Sequence, residues 1–197
     1  MQIIDDHKKF DRLDIINAVY TAIHPMKNTY DEDMALGLFI DCMAAIDSGI
    51  GIFFAFFNEE KNCVANAFVF RAEESPLGAP HLHIFSVPIK YQRSGYGKLC
   101  LNYLLPNLDK TGNVSSECSQ DTLNFFINSG FSIKQNADHN NFIKIHYGNQ
   151  PEKSCFLRPK LLPEGYLKYE KEFNDHLIFL KNKHEHEHEK NTDHKQH

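Results

Sequence analysis

A mixed α/β sheet flanked by helices is the fold class this sequence predicts, and three observations predict it. Two stretches with apolar residues every three or four positions come first, a run of aromatic and β-branched residues follows, and strand-like and helix-like segments then alternate. In order the chain reads helix, helix, strand, strand, strand, helix, strand, helix, strand, strand. At 197 residues, 42% of them hydrophobic, it is long enough for one domain with a full core and cramped for two.

Asp11 to Ile23 sets Leu13, Ile16, Val19 and Ile23 at helical spacing, and Pro25 closes that helix. Asp31 to Ile46 repeats the pattern with Met34, Leu38, Ile40 to Met43 and Ile46, starts on acidic residues that suit a helix N-terminus, and stops before Gly49 and Gly51. Ile52 to Phe57 and Cys63 to Ala72, joined by a polar turn at Asn58 to Asn62, read as a β-hairpin. A Ser75 to Pro80 loop leads to a strand from His81. Gly95 to Leu108 is a helix stopped near Pro106 to Gly112, Val114 to Cys118 a short strand, and Gln120 to Asn128 a short helix ended by Gly130. Phe131 to Lys134 and Phe142 to Tyr147, split by a polar loop, are the last strands of a mostly antiparallel mixed sheet.

Three units follow: a domain over residues 1–149, a C-terminal extension over 150–182 and a tail over 183–197. Pro151, Pro159 and Pro163 mark an extended connector, after which Glu164 to Lys181 places Tyr166, Tyr169, Phe173, Leu177 and Leu180 on one helix face. That face must pack on the domain or on another chain, so oligomerisation through the 164–181 helix stays open. The tail has no apolar residue and is expected to be disordered; its His and Glu residues are read as solvated, with weak divalent-metal binding as the sharper alternative.

The net charge of -5 gives no broad basic footprint, which argues against nucleic acid as a partner. No stretch approaches the roughly 20 apolar residues of a membrane helix, and MQIIDDHKKF lacks a signal-peptide pattern, so a soluble, cytoplasmic protein without membrane partners is expected. Cys42, Cys63, Cys100, Cys118 and Cys155 are odd in number, widely spaced and form no CxxC pair, so they read as reduced core cysteines.

The chemistry concentrates in HLHIFSVPIKYQRSGYG, residues 81–97. A strand runs into a turn carrying Gln92, Gly95 and Gly97, and the turn opens a helix, an arrangement suited to a phosphate held by backbone N–H groups and the helix dipole. A Gly-x-Gly turn alone is weak, because glycines are recruited to any tight strand-to-helix connection. With Phe125 to Phe131, FFINSGF, ending a helix in Gly-Phe before a strand, the combination resembles the GNAT superfamily of acyl-CoA N-acetyltransferases over about residues 10 to 147. The histidine-bearing strand further resembles that of the arylalkylamine N-acetyltransferases.

The resemblance implies a GNAT fold with acetyl-CoA as co-substrate and a primary amine as acceptor. The backbone of Phe85, Ser86 and Val87 would hold the pantetheine arm. Gln92, Arg93, Ser94, Gly95, Tyr96, Gly97 and Lys98 would hold the pyrophosphate, with Ser119 where many members carry a cofactor-contacting asparagine. It also assigns His81 and His83 to removal of the proton from the amine, which is mostly ammonium at neutral pH. Period-two alternation would put both on one face; the plainer reading is a junction residue and a hydrogen-bonded core histidine. Phe126 stands where the family commonly has a tyrosine that protonates the departing thiolate, a departure for which Cys118, Tyr91 and Tyr96 are conceivable substitutes. It keeps alive a weak acyl-CoA-binding or protein-interaction module as the alternative, and a protein lysine acetyltransferase as a third reading. The phenylalanines of residues 53–57, with Phe39, are candidates for an acceptor pocket or plain core, and no metal is assigned to the domain.

Overall fold

The computed structural model describes residues 2–4, 11–24, 32–70, 78–108, 112–136, 142–149, 153–154 and 160–193. The readings made for Pro25, the 73–77 part of the third loop, the 137–141 loop, Pro151, Cys155, Pro159 and residues 194–197 lie outside the described residues.

Helix α1 (Arg12–Ile23) starts where Asp11, in extended conformation, accepts a hydrogen bond from the Asp14 amide through its carboxylate. It is followed by α2 (Glu32–Asp47) and the hairpin β2 (Gly51–Phe57) and β3 (Cys63–Phe70). Gly51 is needed where α2 hands over to β2: a Cβ there would lie 2.5 Å from the Phe68 ring and 2.8 Å from Ala45 Cβ. A short strand β4 (Gly78–Ala79) precedes β5 (His81–Ser86), then come α3 (Tyr96–Leu108), β6 (Val114–Ser119), α4 (Gln120–Ile127), β7 (Phe131–Gln135), β8 (Phe142–Tyr147), the two-residue β9 (Lys153–Ser154) and α5 (Pro163–Asp193). The N-terminal β1 (Gln2–Ile4), too short for a periodic signal, adds an antiparallel edge to β2.

The main sheet has seven strands in the order β1-β2-β3-β5-β6-β8-β7, while β4 and β9 pair separately. Every neighbouring pair in the main sheet is antiparallel except β5 with β6. Alternation along the strands sends residues to two cores. Phe53, Phe68, Phe70 and Ile84 face α1, α2 and α5, whereas Phe54, Phe56, Val69 and Leu82 face α3 and α4. Helices thus cover both faces, as the element order predicts.

Helix α5 packs on α1 and α2 through buried Tyr169 and Phe173, with Leu177 and Leu180 beside them. Arg12 ties the three helices: it donates to Asp47 at 2.6 Å and to Glu172 at 2.7 Å, and Asp47 also accepts from Lys168 and Tyr169, each at 2.9 Å. Burial works against the Asp47 charge, but the hydrogen bonds from Lys168, Arg12 and Tyr169 outweigh it and hold the carboxyl below its usual range.

Some sequence expectations need correction. Leu13, Met34 and Tyr166, counted on buried stripes, are 53%, 41% and 45% exposed, because each stands near the start of its helix, beyond the packed stretch. The tail is not disordered from residue 183: α5 runs unbroken to Asp193. Composition without apolar residues suggested disorder, yet after Gly165 the segment has neither Gly nor Pro, and its Glu and Lys residues are good helix formers that extend a helix already nucleated by docking.

Candidate active site

Strands β5 and β6 are paired only at His81 with Ser115 and Leu82 with Ser116. Serines hold this short seam: the Ser115 amide donates to the Pro80 carbonyl at 2.9 Å, and Ser116 Oγ donates to the Leu82 carbonyl at 2.7 Å. Beyond Leu82 the strands part, so one backbone edge of His83 to Ser86 faces a cleft instead of a neighbouring strand. Phe85 and Ser86 lie on that stretch, and Val87 follows the end of β5.

On the other side of β5 the register passes from Leu82 opposite Val69 to Ile84 opposite Phe68, which makes His83 the extra residue of a β-bulge. Simple alternation does not describe the strand, because the bulge resets the phase between His81 and Phe85. The two histidines nevertheless come together: their ring centroids are 5.9 Å apart, and those of His81 and His83 lie 6.5 Å and 4.9 Å from the Phe70 ring. His83 is half-buried, while His81 is only 5% exposed. His81 Nδ1 lies 3.1 Å from Ser115 Oγ, and that hydroxyl donates to the Pro80 carbonyl at 3.3 Å. Burial lowers the His81 pKa to about 4, so it is neutral at pH 7.

After β5, a 3-10 turn at Ile89–Tyr91 leads into the glycine segment. Arg93 and Gly95 both have left-handed backbone, with φ of 60° and 87°. Gln92 and Ser94 bind the loop to itself: Gln92 Nε2 donates to the Val87 carbonyl at 3.0 Å, and Ser94 Oγ donates to the Tyr91 carbonyl. Their side chains set the loop's shape. The loop delivers the first turn of α3, whose leading N–H groups have no intrahelical acceptor.

The two glycines do different work. A Cβ on Gly95 would meet nothing within 4 Å, so the space beside it is open and its need is for the positive φ. At Gly97 a Cβ would come within 3.2 Å of the Phe125 ring and 3.3 Å of Val87 Cγ2, so its smallness serves packing. Lys98 is exposed on α3, and Lys90 lies over the Tyr91 ring at 4.7 Å.

Phe125, which the sequence reading passed over, is the ring turned toward β5: it stacks on Phe85 at 6.0 Å and packs against Gly97. Phe126 is buried in the second core between Phe125 and Phe131. The helical offset of 100° per residue separates the two, and the sequence signal that finds Phe125 is its adjacency to Phe126 in FF. Ser119 ends β6 with its Oγ 3.2 Å from Thr122 Oγ1. Cys118 is buried and its thiol is pushed up to about 11, chiefly by burial, so it keeps its proton.

No protein-family model matches the sequence, and no curated protein does. Solved structures do match. Tetrahymena Gcn5 is 8% identical with a TM-score of 0.56, over 80% of this chain and 98% of that one. A GNAT-family acetyltransferase from Staphylococcus aureus Mu50 is 16% identical with a TM-score of 0.54, over 76% and 99%. The chain has the GNAT fold. A third GNAT-fold match, PaiA N-acetyltransferase from Thermoplasma acidophilum solved in complex with coenzyme A, is 12% identical with a TM-score of 0.53, over 75% and 99%. At these identities the likeness is one of fold, and the parted β5–β6 seam and the strand–turn–helix after it are this chain's own features within it. Among the described residues no helix is long and apolar enough to cross a membrane, and no cluster of three or more metal-ligating side chains occurs.

Proposed function

We propose that the chain is an acetyl-CoA-dependent N-acetyltransferase that acetylates a primary amine by direct transfer, with both substrates bound together. One observation carries the reading: β5 parts from β6 after two residue pairs and then delivers an open, positive-φ turn onto a helix N-terminus. That gives an extended ligand a backbone edge to lie along and a set of N–H donors for its anionic end. PaiA, which shares the fold, was solved with coenzyme A, as was a Bacillus subtilis acetyltransferase.

In this reading the backbone of Phe85, Ser86 and Val87 holds the pantetheine arm, and the amides of Arg93 to Lys98 hold the pyrophosphate. Gln92 and Ser94 preset the loop, and Phe125 walls the cleft against Phe85. Bound acetyl-CoA supplies a thioester carbonyl open to attack by the amine. His83, the more accessible histidine, takes the amine proton directly or through water, and His81, neutral and hydrogen-bonded to Ser115, sets its surroundings. An arylalkylamine or a similar small amine is the acceptor in this reading.

Gly95→Val decides the cradle. At φ 87° a β-branched residue is strained, and calorimetric affinity for coenzyme A should fall by about tenfold or more. Unchanged affinity in a folded variant would sink the assignment. A second reading, a GNAT-fold module that binds acyl-CoA with little turnover, is favoured by the absence of a phenol on both Phe125 and Phe126. A free-thiol assay with acetyl-CoA and a panel of amines plus a lysine peptide separates the two. Turnover on a small amine supports the enzyme, turnover on the peptide alone a protein acetyltransferase, and tight cofactor binding with no turnover the module.

A further inference from the structure

We infer that the cavity between α1 and the β2–β3 hairpin is a binding site for a small, largely apolar molecule that presents one hydrogen-bond acceptor, a ketone or carboxamide oxygen, to Asn66. The cavity has a volume of about 320 Å³, at the lower end of the roughly 300–1,000 Å³ range of small-molecule sites. Ile15, Ala18 and Thr21 of α1 form one wall and Phe53 and Phe57 of β2 the other, with Asn66 of β3 at its base.

Asn66 is the anomaly that gives the cavity a chemistry. It is 2% exposed, and its Nδ2 has no hydrogen-bond partner in the protein. Its other end is spoken for: Oδ1 accepts from the Cys63 thiol at 3.2 Å, and burial pushes that thiol up, so it stays protonated as the donor. With Oδ1 so engaged, the unpartnered N–H₂ group is what Asn66, a residue lining the cavity, has left to offer an occupant. A buried donor left without an acceptor is unfavourable, and an acceptor oxygen on an occupant would recover that loss.

The other walls select the rest of the molecule. Phenyl rings and aliphatic side chains favour an apolar body, and the Asp14 carboxylate, exposed at the rim, disfavours an anion. The site is separate from the cleft between β5 and β6: it lies under α1, and its nearest link to that cleft is Asn66 itself, which stands opposite Ser86 across β3 and β5. Nothing in it depends on acetyl transfer.

Acetophenone and ethylbenzene test it, since they differ by a carbonyl in place of a methylene. Each is titrated into the ¹⁵N-labelled full-length chain. Acetophenone should shift the Asn66 side-chain amide and the backbone amides of Ala18 and Thr21, and bind about tenfold or more tightly than ethylbenzene. Asn66→Leu should erase the difference, and Thr21→Trp, which fills the cavity, should remove binding of both. Equal affinity for the two compounds, shifts confined to other parts of the chain, or no binding up to the solubility limit would overturn the inference. Should Asn66→Leu fail to fold, the comparison on the native chain decides by itself.

Discussion

His81 shows how one residue's surroundings set what it can contribute. An imidazole lowered to about 4 is uncharged at neutral pH and is too weak a base to take a proton from an ammonium by itself, so the proposed mechanism gives proton removal to His83. In an assay of acetyl transfer, His83→Ala should flatten the rise of kcat/KM with pH. His81→Gln should lower the rate while leaving the midpoint of that rise in place, and a midpoint moved by His81→Gln alone would reverse the assignment. Stability supplies an independent check. The folded state resists protonating His81 until about pH 4, whereas the unfolded chain takes up that proton near 6.5, so the unfolded state binds more protons between those values and stability falls as pH drops through them. Urea midpoints at pH 7.5 and pH 4.5 should therefore drop more for the native chain than for His81→Gln. Equal drops would mean that the ring is solvated.

Among the elements, those with strong periodicity were legible and those defined by pairing or docking were not. The stripe Ile16, Val19, Ile23 marks α1, and the aromatic run from Ile52 marks β2, because each reports burial that the local chain already encodes. The turn at Gln92 to Gly97 was equally visible, since the left-handed backbone at Gly95 favours glycine. By contrast the β-bulge at His83 depends on the register with β3, the Phe125 contact on where α4 comes to rest, and the Asn66 cavity on the gap between α1 and β2, none of which a single segment announces. Helix α5 is the plainest case: its apolar face was readable, while its partner and length were not. Docking of that face on α1 and α2 is what holds the helix, and residues 183–193 extend it. Truncation after Asn182 should reduce far-UV helical signal by about three turns and leave the urea midpoint nearly unchanged. Arg12→Ala, which removes the link from α1 to Asp47 and Glu172, should lower stability by about 1 kcal/mol, as expected for a half-exposed charge network. A larger loss on truncation than on Arg12→Ala would mean that the extension packs on the domain.

At the scale of the whole molecule, the sheet is two pieces joined at a narrow seam. Strands β1, β2, β3 and β5 form one antiparallel unit and β6, β8 and β7 another, and among the described residues the strand pairing between them is two residue pairs, supported by the Ser115 and Ser116 hydrogen bonds. The second core crosses the seam, with Leu82 on one side and Val114, Ile143 and Ile145 on the other, and so keeps the pieces together while their backbones diverge. Under the proposed function, a ligand lying along the unpaired edge of β5 would touch the facing side of β6 as well, and so act as the missing length of seam. Because it binds only the folded chain, coenzyme A at a hundredfold excess over its Kd should stabilise the fold by about 2.7 kcal/mol. Its distinctive effect is spatial: amide exchange should slow in β6 and β8 as well as in the 93–98 turn, since the ligand couples units that otherwise open separately. Ser116→Ala, which loses the bond to the Leu82 carbonyl, should weaken the free protein by about 1 kcal/mol and lose less once coenzyme A is bound. Protection confined to the turn, with β6 and β8 exchanging at their ligand-free rates, would show that the ligand rests on the helix N-terminus alone and that the parted strands do not hold it.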